Sequence, residues 1–119
     1  MANYHEWIQH KGKDVLFAKL SGLGEEEYFK AVDELESVFL GKPDNSKILM
    51  LLDVTGSRMT AATRDRGKEM GNKSQAKGII TITTIVGISG IQKIIAQAIS
   101  KDVHYSKTVD EAKDWLVQQ

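Results

Sequence analysis

The sequence predicts an α/β fold: a mixed sheet, mostly parallel, opened by an N-terminal antiparallel hairpin and packed by about four helices. Three observations predict it. Two short strand-like segments at the N-terminus are separated by the polar KGKD. The run ILMLL, Ile48 to Leu52, is apolar at every position, as a central strand covered on both faces requires. Ile79 to Ile99 then passes from a β-branched run through a glycine-flanked turn into an amphipathic helix. After the hairpin, strands alternate with helices, and that order builds a parallel sheet.

Tyr4 to His10 and Val15 to Leu20 read as the hairpin strands. Glu25 to Leu40 reads as a helix whose buried stripe is Phe29, Val32, Leu35 and Phe39. Glu25, Glu26 and Glu27 occupy its first turn, where the macrodipole favours acids, and Gly41 and Pro43 close it. Ile48 to Leu52 is the central strand. Thr60 to Asn72 is a second helix, weakened at Gly67. Ile79 to Val86, rich in isoleucine and threonine, fits a pleated surface.

Ser89 to Ser100 is a third helix. At about 100° per residue, Ile88, Ile91, Ile94, Ile95, Ala98 and Ile99 share an arc of about 140°. Asp102 to Tyr105 is a short last strand. Thr108 to Val117 is a fourth helix, with Thr108 and Glu111 at capping-box spacing and Val109, Ala112, Trp115 and Leu116 inward. A single domain spanning residues 1–119 accommodates all of this.

Composition narrows the function classes. The 16 basic and 16 acidic residues balance, which disfavours nucleic acid as a partner. No apolar run approaches the ~18 residues of a membrane span, so stable insertion is not expected. Cysteine is absent, which excludes disulfides and thiolate chemistry and suits the cytoplasm. The N-terminal segment lacks the apolar core of a signal peptide. His5 and His10, five apart on a strand, point to opposite faces and form no metal motif with His104. No cofactor or metal is expected.

LLDVTG, VGISGIQKII and DEAKDWL resemble the SpoIIAA-like proteins. These are related to the STAS domains (anti-sigma-factor antagonists and sulfate-transporter tails) and, more loosely, to lipid-carrying CRAL-TRIO domains. The resemblance implies a non-enzymatic α/β module acting through a protein partner or a small apolar ligand, with a homodimer among the arrangements open to it. It also implies a phosphoacceptor near the end of the central strand. If Asp53 ends that strand, the position falls at Thr63, where Ala61 and Arg64 replace the family's Asp and Gly. If Asp53 starts the motif, it falls at Thr55. Phosphate there would bring about two negative charges to an interface.

Other candidates come from the residues themselves. The carboxyl ends of parallel strands usually receive ligands, which marks Asp53 to Ser57 and Gly87 to Gly90. Gly87, Ser89 and Gly90 could present backbone N–H groups to an anion, with Asp53 nearby. Ser89 and Gln92 also have capping-box spacing, which would satisfy the same groups internally. Ile91 and Ile95 could contact an apolar ligand, helped by the adaptable Met50, Met59 and Met70, although ordinary core packing uses the same residues. No GxSxG elbow supports a hydrolase, so an enzyme is not expected. Finally, residues 58–77 are basic (Arg58, Arg64, Arg66, Lys68, Lys73, Lys77) whereas the first helix is acidic, a polarity that could steer a charged partner or form solvated faces.

Overall fold

The structure is a computed structural model that describes residues 4–88, 90, 94 and 104–119. The chain opens with β1 (His5–His10) and β2 (Lys13–Lys19), paired antiparallel. Lys11 and Gly12 both have positive φ (51° and 81°). A two-residue turn of this kind matches the twist of the flanking strands. There follow α1 (Glu25–Leu40), β3 (Lys47–Asp53), α2 (Ala61–Ala76), β4 (Ile80–Val86), β5 (His104–Ser106) and α3 (Val109–Val117).

The strands form one sheet in the order β1-β2-β3-β4-β5. All pairings after the hairpin are parallel. β3 sits centrally, and Ile48, Leu49, Met50 and Leu51 are buried, as a doubly covered strand requires. Period-2 alternation sorts its side chains. Ile48, Met50 and Val54 join the core beneath α1, whereas Leu49 and Leu51 pack with Ala112 and Leu116 of α3. The sheet therefore carries α1 and α2 on one face and α3 on the other.

Among the described residues the helices number three rather than about four. The expected helix over Ser89 to Ser100 lies outside the described residues except for Gly90 and Ile94, both helical. Ile94 sits on the arc expected to face the sheet, yet it is 70% exposed. In α1 the buried stripe is Tyr28, Ala31, Val32, Leu35 and Phe39. Tyr28, not Phe29, takes the first core position, because i, i+4, i+7 and i+11 from Tyr28 lie on one line of the helix. α2 runs four residues past Asn72 despite Gly67 and Gly71. Its N-cap Thr60 and N3 residue Thr63 form a reciprocal capping box. In α3, the Thr108 side chain accepts from the Glu111 N–H at 3.1 Å.

Candidate functional site

At the carboxyl edge of the sheet, backbone hydrogen bonds staple the loops after β2, β3 and β4. Leu20 N–H donates to the Asp53 carbonyl (2.9 Å), Gly22 N–H to Thr55 (2.8 Å), and Val54 N–H to Val86 (3.0 Å). Asp53 Oδ1 accepts from the Thr55 N–H at 3.1 Å and from its hydroxyl at 2.7 Å, an Asx-type turn that fixes the first residues after β3. Gly87 has φ +78°, and a Cβ there would collide with the Thr55 side chain. The glycine is thus required by the close approach of Thr55.

Of the two expected phosphoacceptors, Thr55 is exposed and Thr63 is 1% exposed. The Thr63 hydroxyl accepts from the Thr60 N–H (2.7 Å) and donates to the Thr60 carbonyl (2.9 Å). A kinase would reach it only after the first turn of α2 opened. Gly90 is exposed, and a Cβ there would meet nothing within 4 Å. Ser89, Ile91 and Ile95 lie outside the described residues. The structure therefore brings Asp53, Thr55 and Gly87 together and leaves Thr63 apart, inside the α2 cap.

The expected charge polarity resolves into pairing. Arg66 of α2 bonds Asp33 (2.8 Å) and Glu36 (2.7 Å) of α1, and Lys73 bonds Glu36 at 3.2 Å. The Arg66 hydrogen bond, aided by Lys73, holds the Glu36 carboxyl below the usual carboxylate range. The acidic and basic stretches thus spend several of their charges on each other.

The histidines take separate structural positions. His5 Nδ1 lies 2.5 Å from Glu34 Oε2 on the α1 side, and His10 Nε2 lies 2.7 Å from Asp114 Oδ1 on the α3 side. The opposite faces expected for a strand are observed. His104 stacks on Trp115 with ring centroids 3.9 Å apart, and its Nδ1 lies 3.0 Å from the Thr84 hydroxyl. No cluster of three metal-ligating side chains occurs among the described residues. None of their helices is long and apolar enough to cross a membrane.

A cavity of about 710 Å³ lies between α2 and the sheet. This lies within the range of small-molecule sites, roughly 300–1,000 Å³. Its apolar lining includes Met50, Leu52 and Val54 from the β3 region, Met59, Met70 and Ile85. Thr81, Thr83, Asn72 and Gln75 add polar atoms. The three methionines singled out in the sequence all line it, and among the described residues α2 contributes much of the surrounding wall. The cause is visible in α2 itself. AATRDRGKEMGNKSQA contains one large apolar residue, Met70. Such a helix cannot fill the space above a sheet, and ion pairs to α1 hold it in place over the gap. That signal lies in the sequence of the segment itself.

No protein-family model and no curated protein matches the chain. A solved structure does: an uncharacterized protein from the DUF3478 family with a SpoIIAA-like fold, from Shewanella loihica PV-4. The two share 19% sequence identity and superpose with a TM-score of 0.66 over 98% of each chain. The hairpin, the parallel strands and the helix placement described above are thus those of a known architecture, and the chain has the SpoIIAA-like fold.

Proposed function

We propose that the chain is a non-enzymatic binding module whose ligand is a small apolar molecule held between α2 and the sheet. The observation that carries this reading is the cavity of about 710 Å³ with its methionine-rich apolar lining. Methionine side chains adapt to varied shapes, which suits a site that accepts a flexible ligand. Enclosing an apolar body there removes its surface from water, worth roughly 25 cal/mol per Å² before the costs of association. The non-catalytic part rests on how the reactive side chains are employed. Asp53 holds Thr55, and the imidazoles of His5 and His10 pair with carboxylates of neighbouring helices.

Native mass spectrometry of gently purified protein tests the proposal. The expected spectrum carries an added mass that organic extraction removes and that returns on incubation with a lipid extract. A clean apo mass with no uptake from the extract would overturn it.

A further inference from the structure

The cavity lining has a one-sided charge pattern. Lys68 is the one charged side chain among its described residues, and none of them is an acid. Nothing on its own helix neutralises it. The residues at i−4 and i+4 are Arg64 and Asn72. Asp65, at i−3, is bonded to Arg64 at 3.1 Å. Glu69 faces Arg66 and Lys73. No carboxylate among the described residues pairs with the Lys68 ammonium. A second polar group lies in the same lining: the phenol of the buried Tyr28. Burial pushes its pKa up to about 12, so it stays a neutral donor. The site thus offers a largely apolar interior with positive charge at one point.

Resting on the reading of the cavity as a ligand site, we infer that the ligand is an amphiphile with a single anionic head group, its carboxylate-like oxygens set against Lys68 and its apolar body lying on Met50, Met59 and Met70. A lysine pairs with a carboxylate as a point charge, while its alkyl stem covers apolar surface. A cationic or zwitterionic head would meet like charge at the rim, with no acid in the described lining to offset it.

The test is titration calorimetry with dodecanoate and dodecanol, both below their aggregation limits, on the wild type and on Lys68→Gln. Exposed charge pairs contribute modestly, so Lys68→Gln is expected to weaken dodecanoate about twofold to fivefold and leave dodecanol unchanged. Lys68→Arg should keep dodecanoate near the wild-type value. Equal weakening of both ligands would mean that the lysine stem packs without reading charge. An unchanged dodecanoate affinity would mean that Lys68 does not meet the head group. Either result overturns this inference and leaves the cavity reading standing. Failure of both ligands to bind the wild type would remove the cavity reading and this inference with it.

Discussion

Two helices of 16 residues lie side by side on one face of the sheet and are held there by different forces. α1 buries Tyr28, Ala31, Val32, Leu35 and Phe39, whereas α2 buries only Thr63 and Ser74. α1 is fixed from below by apolar contact with the strands. α2 is fixed from the side by Arg66 and Lys73 on Glu36, and from its N-terminus by the Thr60 cap. A helix held laterally does not have to fill the space beneath it. The difference separates a helix that fills the core beneath it from one that leaves space above the sheet.

The largest expected effect breaks the stabilising half. Phe39 is 2% exposed, and Phe39→Ala should lower unfolding free energy by about 3–5 kcal/mol in chemical denaturation. Met70→Ala, at the edge of an existing void, should cost less than about 1.5 kcal/mol because it deletes few close-packed contacts. Equal costs would erase the distinction between the two helices.

At the junction of the loops, Gly87→Ala combines a positive φ with a collision on Thr55 and should cost about 2–3 kcal/mol by the same measurement. Adding Thr55→Ala should restore part of that loss, since the Thr55 hydroxyl is the nearest atom. No recovery in the double variant would place the strain elsewhere.

Arg66→Met tests the lateral clamp. It leaves Glu36, whose side chain is 15% exposed, with Lys73 as its remaining cation, and should cost about 1–2 kcal/mol, below the value for fully buried pairs because Lys73 stays and water still reaches Asp33. The clamp also has a pH signature. The Glu36 pKa is lowered on folding from its ordinary 4.5, so its contribution is fully present above that value. The contribution is lost as pH falls through the lower folded value. The stability gap between the wild type and Glu36→Gln should therefore be constant near neutrality and shrink below pH 4.5. A gap that persists unchanged in acid would contradict the ion-pair account.

The smallest effect has the opposite sign. Gly71 lies in α2 with helical backbone, and a Cβ there meets nothing within 4 Å. Gly71→Ala should stabilise the protein by about 0.5–1 kcal/mol through lost unfolded-state freedom, without closing the cavity. A destabilised variant would show that α2 lies closer to the sheet than described.

These contrasts also explain what could be read from the residues alone. The hairpin was legible because KGKD between alternating segments leaves a short turn few choices. The buried central strand was legible because ILMLL has no polar position to expose. The opposed histidines followed from strand periodicity. Tyr28 was missed because Phe29, one residue later, is the more apolar of the two, and the choice depends on the angle at which the sheet meets α1. The cavity was missed for another reason. Apolar residues mark what is filled, whereas a void is marked by the side chains a helix lacks. The isoleucines from Ile88 onward drew attention to the segment after β4, most of which lies outside the described residues, whereas the near-absence of large apolar residues in α2 carried a signal of its own. The acid and base stretches were visible separately, but their pairing required the two helices to be placed side by side.

The central claim is that the space beneath α2 is the ligand site. It is tested most directly by comparing dodecanol binding to the wild type and to Thr83→Phe, which places an aromatic ring in the lining from β4. Circular dichroism and the denaturation midpoint would confirm that the variant is folded. The account predicts saturable binding to the wild type and its loss in the folded Thr83→Phe protein. Undiminished binding to that variant would contradict it.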